Sequence, residues 1–328
     1  MHLFLKFKHL IKKKFDKSKY FWKLKKINDF FFKKNSIYNS IQAIITNIPL
    51  RSFFAFLERT LFKYFFYNHY QLYFKKKIDI KNVEVEKINL DGISKPFKVK
   101  EFLDNKNKIL EYFYKQEFFF DKEPNKKFNL KNKSDLKVGY FSNEVTLKCP
   151  HIFDIANNEY VLNTLSSYFK CPFKLDYISS WWSFQNSLHI NEKTQHFHRD
   201  LDNFNFIKMF LYLSDVDENS GAHQYIIESH KKNYDLKISR SVIDSNKINE
   251  KNLKIFNFTG LCGTASLANT FGLHRGAKPI KDDRLMIVFT YSVKNSIHSF
   301  QIKNQNFDFL DFLKYGNYNK YINKNFIK

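Results

Sequence analysis

Two histidines and one aspartate in this chain have the spacing of a metal site. His198 and Asp200 lie two residues apart, and His274 follows 76 residues after His198. On an extended backbone, residues i and i+2 point to the same side, so His198 and Asp200 can present an imidazole and a carboxylate to one ion. Two histidines and one carboxylate on one face of an ion leave three positions open, as in non-haem Fe(II) oxygenases. The spacing therefore predicts an Fe(II) site at these three residues.

Arg284 lies ten residues after His274, at the start of an apolar stretch that is typical of a strand. A guanidinium group pairs bidentately with a carboxylate. We therefore expect Arg284 to hold the far carboxylate of a chelating 2-oxo acid, 2-oxoglutarate, which would occupy two of the open metal positions and leave the third for O₂. The alternative role for Arg284 is a surface ion pair with Asp282 or Asp283.

The same segment has two other interpretations. His196 could replace His198 as a ligand, but Asp200 would then follow at i+4 and lose the same-face spacing. The stretch from His198 to Asn205 also matches the H-R-D-L-x-x-x-N pattern of a protein-kinase catalytic loop. A kinase needs a glycine-rich loop over the phosphates, and only two glycines precede residue 200, so we exclude this class.

The elements that must position these residues change in type along the chain. Apolar residues at helical spacing predict one amphipathic helix over Ile152–Phe169, which ends before Cys171-Pro172. Extended segments follow, and they are predicted at Phe173–Phe184, Phe204–Leu213, Gln224–Ile227, Ile255–Phe258, Leu267–Gly272 and Arg284–Val293. Short strands after a helical region favour an α+β protein with a two-sheet jelly roll and flanking helices.

The segment Phe204–Leu213 alternates most clearly. One face is purely apolar, and the other carries three aromatic residues with Lys208, which is a suitable lining for a pocket that receives an anion. The residues of the apolar face are Ile207, Met209, Leu211 and Leu213, and those of the other face are Phe206, Lys208, Phe210 and Tyr212.

Several stretches together resemble a known family over about Pro150–Tyr291. They are His198-Arg-Asp200, Phe206–Asp217, Asn219–His230, Gly263-Thr-Ala, Gly272–Gly276 and Arg284. This pattern is similar to the phytanoyl-CoA dioxygenase-like Fe(II)/2-oxoglutarate-dependent oxygenases. The resemblance implies a double-stranded β-helix (cupin-like) core, with iron at His198, Asp200 and His274 and 2-oxoglutarate at Arg284. It also implies hydroxylation of a small organic substrate with O₂ and the release of succinate and CO₂.

Some family members place Ser or Thr near the distal histidine or the arginine, where this chain has Gly276 and Met286. A second contact to the co-substrate carboxylate is therefore expected from Lys208, Tyr212 or Thr270, although Lys208 could instead extend its ammonium group to solvent. His223, His230 and Asn269 are candidates for supporting the metal or the substrate. For the two histidines, the alternative is that they close turns through hydrogen bonds.

The basic charge is concentrated near the N-terminus. The net charge is +23, and residues 1–40 hold twelve lysines against Asp16 and Asp29. We predict a basic, aromatic-rich helical extension over 1–95, most periodic at Ile41–Phe66 with an interruption at Pro49, then an oxygenase domain over 96–300 and a basic tail over 301–328. Residues 1–40 suit a peripheral contact with an anionic membrane, and nucleic acid is not an expected partner.

Two further observations bear on location and on the alternatives. Three widely spaced cysteines without a C-x-x-C motif favour a reducing compartment, and neither a signal-peptide pattern nor a membrane-spanning stretch is found, so a cytoplasmic protein with possible membrane association is expected. Two alternatives to the enzyme are a catalytically silent metal-binding jelly roll and a membrane or nucleic-acid binder that acts through its basic arm. No residue selects the substrate.

Overall fold

The computed structural model describes residues 41–42, 44–65, 83–120, 123–133, 136–185, 195–234, 248, 251–299 and 318–326. The chain divides into two compact units, Met1–Ile45 and Thr46–Lys328. The helical and membrane-contact predictions for residues 1–40 lie outside the described residues, and the predicted domain boundary at residue 96 stays a prediction.

Helices flank a set of antiparallel strands. The helices are α1 (Ile48–Phe65), α2 (Val83–Asp91), α3 (Lys100–Asp104), α4 (Lys106–Lys115), α5 (Asn143–Leu147), α6 (Ile152–Ala156) and α7 (Glu159–Phe169). The strands are β1 (Phe97–Lys98), β2 (Phe118–Phe120), β3 (Glu123–Phe128), β4 (Val138–Tyr140), β5 (Lys174–Ser183), β6 (Phe206–Tyr212), β7 (His223–Ile226), β8 (Ile255–Phe258), β9 (Thr264–Ala268), β10 (His274–Gly276) and β11 (Arg284–Ser292).

The strands form two antiparallel sheets. The larger sheet has eight strands in the order β1-β9-β6-β11-β5-β4-β2-β3, and the smaller has the order β10-β7-β8. Residues from both sheets share one buried cluster, which includes Phe210 and Met286 from the larger sheet and Tyr225 and Phe258 from the smaller. The sheets therefore pack face to face, and the predicted α+β jelly-roll core with flanking helices is confirmed.

Strand β6 shows why the larger sheet has two different faces. Ile207, Met209 and Leu211 lie in the large apolar core that also contains residues of α4 and α7. Phe210 and Tyr212 instead lie in the cluster between the sheets. Because side chains alternate along a strand, one face of β6 is covered by helices and the other faces the interior of the jelly roll, as the alternation predicts.

The predicted single helix over Ile152–Phe169 is wrong, because the structure contains α6 and α7 with a break between them. The Asn158 side chain accepts a hydrogen bond from the Val161 N–H (3.0 Å) and caps the start of α7. Asparagine competes with the helix for backbone hydrogen bonds and favours this capping position, so it overrides the apolar periodicity. The end of the predicted helix at Phe169 is confirmed.

Other predicted segments are described in part. Asn47 accepts a hydrogen bond from the Leu50 N–H (3.1 Å), so α1 begins at Ile48 and Pro49 lies in its first turn, where proline is tolerated. From the predicted C-terminal tail, residues 318–326 are described, and Ile322 and Phe326 pack into the large core. All three cysteines are buried and free. None of the described helices has the length and the apolar character needed to cross a membrane.

Candidate metal centre

Two segments that are distant in sequence are paired beside β10. The His198 N–H donates to the His274 carbonyl (3.0 Å), and the His274 N–H donates to the His198 carbonyl (3.1 Å). The Asp200 N–H donates to the Thr270 carbonyl (2.9 Å). These bonds place His198 and Asp200 next to His274, and one ligand atom from each of the three side chains lies within 4.8 Å of the others.

The two histidines have the same ring orientation. The Nδ1 of His198 lies 2.9 Å from the His196 carbonyl, and the Nδ1 of His274 lies 2.9 Å from the Gly272 carbonyl. Because a carbonyl oxygen only accepts, both Nδ1 atoms carry the hydrogen and both Nε2 atoms keep a lone pair. This backbone bond is typical of metal-ligating histidines, so the donor set fits a transition-metal ion.

Both Nε2 atoms face the carboxylate of Asp200. The Nε2 of His274 lies 3.3 Å from Oδ2, and the Nε2 of His198 lies 3.7 Å from Oδ1. Burial, with a smaller contribution from His274, lowers the pKa of His198 to about 4, so this ring is neutral near pH 7. Burial alone would raise the pKa of Asp200, but the nearby ammonium of Lys208, with a smaller contribution from the His274 side chain, outweighs it and holds that pKa well below its ordinary value.

Lys208 lies beside the three residues and not in solvent. Its Nζ is 2.8 Å from Oδ2 of Asp200 and 2.8 Å from Oδ2 of Asp202. The Tyr177 hydroxyl donates to the same Asp202 oxygen (2.8 Å), and the Nε2 of His298 lies 3.6 Å from the other oxygen. Burial opposes the charge on Lys208, but the two aspartates raise its pKa well above the ordinary value. A buried cation is therefore held between two carboxylates.

Asp202, Tyr177 and His298 were not identified from the sequence. Asp202 could have been found, because it continues the same-face spacing of His198 and Asp200 by one further step of two residues. Tyr177 and His298 come from distant segments, and no local pattern connects them to the site.

Arg284 points into the protein interior from the first position of β11. Only 3% of its surface is exposed, and its guanidinium donates to the Gly221 carbonyl and to the Ser183 hydroxyl (2.9 Å). Its Nε atom has no hydrogen-bond partner among the described residues. The alternative ion pair with the neighbouring aspartates is not formed, because Asp283 pairs with Lys133. Arg284 is thus a buried cation without a carboxylate partner in the described part of the chain.

The Tyr212 hydroxyl and the backbone of His223 are joined by a hydrogen bond. The Tyr212 hydroxyl donates to the Phe258 carbonyl (2.7 Å) and accepts from the His223 N–H (2.9 Å). The centroids of the His223 and His274 rings are 5.5 Å apart, and the buried Nε2 of His223 has no partner among the described residues. A tyrosine hydroxyl has one hydrogen to donate, and that of Tyr212 is used in the bond to the Phe258 carbonyl. Tyr212 could therefore donate to a carboxylate only if this hydrogen bond were broken.

The remaining predicted residues have different surroundings. Thr270 is completely buried, and its hydroxyl has no partner within the described residues. Asn269 has one local and one distant hydrogen bond: its side chain accepts from the Phe271 N–H (3.2 Å), and its amide donates to the Tyr168 hydroxyl of α7 (3.2 Å). His230 bonds through Nε2 to the Asn89 carbonyl (3.1 Å), which ties it to α2.

Arg199, between the two proposed ligands, points away from them as the spacing predicts. Its guanidinium donates to the Ser229 carbonyl (2.5 Å) and the Phe271 carbonyl (2.7 Å). Phe271 belongs to the segment that leads to His274. Arg199 therefore ties the segment of His198 and Asp200 to the segment of the distal histidine, which is a supporting role that sequence spacing does not reveal.

Comparisons with known proteins give the following results. No protein-family model matches the chain, and no curated protein sequence matches it significantly. Among solved structures, HygX from Streptomyces hygroscopicus with nickel, 2-oxoglutarate and hygromycin B bound is 13% identical, with a TM-score of 0.45 over 65% of this chain and 87% of that chain.

Two further solved structures are similar to the same extent. The non-heme alpha ketoglutarate dependent carbocyclase SnoK from nogalamycin biosynthesis is 11% identical, with a TM-score of 0.48 over 70% of this chain and 92% of that chain. EctD from S. alaskensis in its apoform is 15% identical, with a TM-score of 0.46 over 65% of this chain and 77% of that chain.

Proposed function

We propose that this protein is a non-haem Fe(II)/2-oxoglutarate-dependent oxygenase that hydroxylates a small organic substrate and releases succinate and CO₂. The observation that carries the proposal is the convergence of His198, Asp200 and His274, whose ligand atoms lie within 4.8 Å of one another. Both imidazole rings present Nε2 because their Nδ1 atoms are bonded to backbone carbonyls. The phytanoyl-CoA dioxygenase-like assignment rests on the sequence motifs and belongs to the same proposal.

The residues of the chain have distinct roles in this proposal. His198, Asp200 and His274 hold Fe(II), and Arg284 binds the far carboxylate of 2-oxoglutarate through its guanidinium. When bound, iron, 2-oxoglutarate and O₂ supply the oxidising chemistry, and the protein supplies orientation and a water-poor interior. The burial of Arg284 without a carboxylate partner among the described residues supports its role, because such a cation is costly unless an anion joins it.

A second contact to the co-substrate is best supported at Thr270. Its buried hydroxyl is unbonded in the described part of the chain, so it can donate to a carboxylate without losing another bond. The Tyr212 hydroxyl already donates a hydrogen bond to the Phe258 carbonyl, and Lys208 forms ion pairs with Asp200 and Asp202. Both therefore need a rearrangement before they can contribute.

The proposal is tested with the purified protein under anaerobic conditions. Titration with Fe(II) and 2-oxoglutarate should give the weak visible charge-transfer band of the chelate, and admission of O₂ should give slow succinate formation without added substrate. His198→Ala and Asp200→Ala should abolish both signals. His196→Ala is the matched control, because the hydrogen bond from His198 goes to the His196 backbone carbonyl, which the substitution keeps, and it should keep both signals. Full activity in Asp200→Ala would refute the assignment.

A catalytically silent metal-binding jelly roll is the second candidate function. The observation that favours a catalytically silent protein is the position of Lys208, whose ammonium lies 2.8 Å from Oδ2 of Asp200 and would weaken the binding of a metal ion at this carboxylate. The same titration separates the two candidates. Metal binding without the charge-transfer band and without succinate would identify the silent module.

A further inference from the structure

Helix α1 turns two charged side chains, together with the apolar Ile48, toward the rest of the protein. Arg51 and Glu58 are buried on its inner side. Arg51 donates to the Asn203 carbonyl, and Glu58 accepts from the Asn205 side chain (2.7 Å), which also donates to the Ala55 carbonyl (2.9 Å). These polar contacts fix which side of α1 faces the rest of the protein.

The outer side of α1 is apolar and open. Its large apolar side chains are between 38% and 62% exposed, and they are Leu50, Phe53, Phe56, Leu57 and Leu61. Most of these positions recur at intervals of three or four residues, so they form one stripe along the helix. Isolated exposed leucines are ordinary on protein surfaces, but a contiguous stripe that includes two phenylalanines marks a contact surface.

The charges around this stripe define the kind of partner. Glu58, the only acidic residue of α1, points inward. The chain reaches α1 from residues 1–40, with twelve lysines and two aspartates, and residues 66–82 after α1 contain four lysines and one aspartate. An apolar stripe between lysine-rich stretches is suited to a partner with an apolar interior and an anionic surface.

We propose that the outer side of α1 docks on the surface of an anionic lipid membrane. The exposed phenylalanines and leucines enter the boundary between headgroups and acyl chains, and the positive charge that the sequence carries on either side of α1 attracts anionic headgroups. The helix lies along the surface, because it carries Arg51, Glu58, Arg59 and Lys63 and is not apolar enough to cross the bilayer.

The docking helix also contacts the segments that carry the proposed metal ligands. Ile48 packs in one cluster with Leu201 and Phe271, and the guanidinium carbon of Arg51 lies 4.5 Å from the Phe271 ring centroid. Leu201 directly follows Asp200, and Phe271 precedes His274 by three residues. Attachment of α1 to a membrane would therefore hold the proposed metal centre near the membrane surface. This holds whether or not the metal centre is catalytic.

The test measures binding of the full-length protein to vesicles of neutral phosphatidylcholine alone and with added phosphatidylserine, by flotation. We expect binding to the anionic vesicles that weakens as the salt concentration rises beyond about 0.1 M, because lysine attraction is screened. Phe53→Glu combined with Phe56→Glu should lower binding at least about tenfold, since two aromatic side chains are lost from the interface and two negative charges are added.

The matched control is Leu261→Glu combined with Ile280→Glu, which alters two apolar side chains that are 67% and 65% exposed elsewhere on the protein. It should bind like the wild type. Circular dichroism checks that both double variants are folded. If the Phe53/Phe56 variant does not fold, Phe56→Trp replaces it, and its fluorescence should shift to the blue on anionic vesicles only.

Three results would overturn the proposal. One is a wild-type protein that does not float with anionic vesicles at low salt. Another is equal binding by the Phe53/Phe56 variant, which would assign the membrane contact to the lysines alone. The third is a dimer in light scattering without lipid that the Phe53/Phe56 variant dissociates, which would identify a second copy of the chain as the partner of α1.

Discussion

Lys208→Met should make the metal-free protein less stable and its metal binding tighter. The lysine ammonium is the counter-ion of both Asp200 and Asp202, at 2.8 Å from each. The three side chains are between 7% and 18% exposed, so water replaces the lost cation poorly. Removing one partner of a buried ion pair costs about 3–5 kcal/mol, and we expect a loss of stability of this size in the metal-free variant.

The gain in metal affinity follows from the same distances. A metal ion held by Asp200 would be a second cation beside the ammonium of Lys208, which lies 2.8 Å from Oδ2 of this carboxylate. At an effective dielectric constant near 20, a divalent ion and a unit charge about 4 Å apart repel by about 8 kcal/mol. Asp202 offsets part of this repulsion, because the lysine can pair with Asp202 alone. A net gain of about 1–3 kcal/mol is expected, which corresponds to roughly 5- to 150-fold tighter binding.

Asp202→Asn should weaken metal binding, in contrast to Lys208→Met. It removes the carboxylate of Asp202, so of these two ion pairs Lys208 keeps only the one with Asp200, and the lysine competes more strongly with the metal ion. The effect of Asp202→Asn should be smaller in the Lys208→Met background, because the competing cation is then absent. Lys208→Arg keeps the positive charge but changes the shape of the side chain, so it is the matched control that separates the effect of charge from that of packing.

The assay is anaerobic titration with Fe(II) or Co(II), followed by calorimetry and by the metal-dependent rise of the unfolding temperature. Weaker metal binding by Lys208→Met would refute the competition between the lysine and the metal. Unchanged metal binding with a loss of 2-oxoglutarate affinity would instead assign Lys208 to the co-substrate, as one interpretation of the sequence predicts.

Three further predictions concern single residues. Arg284→Ala should raise the concentration of 2-oxoglutarate needed for half-saturation by about 100-fold. Arg284→Lys should restore little of the affinity, because an ammonium group cannot form the bidentate hydrogen bond of a guanidinium. Unchanged affinity in the alanine variant would contradict the role of the guanidinium. Gly272→Ala should destabilise the fold by about 1–3 kcal/mol, because the added Cβ would lie 1.7 Å from the Tyr225 hydroxyl oxygen. It should also weaken metal binding, because the Gly272 carbonyl holds the ring of His274. Denaturant unfolding measures the first effect and metal titration the second. Burial lowers the pKa of His230 to about 4, below its ordinary value near 6.5. The unfolded chain therefore takes up the proton first, and up to about 3 kcal/mol of stability is lost as the pH falls from 6.5 to 4. His230→Gln should flatten this part of the profile of stability against pH, and an unchanged profile would exclude His230 as its source.

Strands β5, β6, β7, β8 and β11 were predictable because their signal is local. Strands β1–β4 were not predicted, and the predicted segment Leu267–Gly272 shares only two residues with β9 (Thr264–Ala268). Strand β6 alternates between residues that pack against helices and residues that face the other sheet, and a period of two is visible in any single stretch of sequence. The same period predicts the shared direction of His198 and Asp200 and the opposite direction of Arg199. His274 could be added because its position near a strand end, followed by Arg284, completes a known ligand chemistry.

Helix boundaries and helix orientation were less predictable. The apolar spacing over Ile152–Phe169 does not reveal the break, because one capping side chain at Asn158 decides it. For α1, the apolar stripe is easily taken for the face that packs on the core. In the structure the inward face carries Arg51 and Glu58, since these side chains satisfy backbone and side-chain partners at Asn203 and Asn205 that the sequence pattern does not reveal.

The side chains that support the candidate metal centre come from distant segments, which explains why the candidate ligands could be proposed from the sequence and their supports could not. His198 meets His274 through one pair of backbone hydrogen bonds, which is too little to fix two side chains on its own. Arg199 adds two bonds to carbonyls that lie 30 and 72 residues away. Phe271, one of these acceptors, also lies against Arg51 of α1. The ligand geometry therefore depends on a helix that precedes it by about 130 residues or more, and a ligand motif alone does not determine a functional site without that helix.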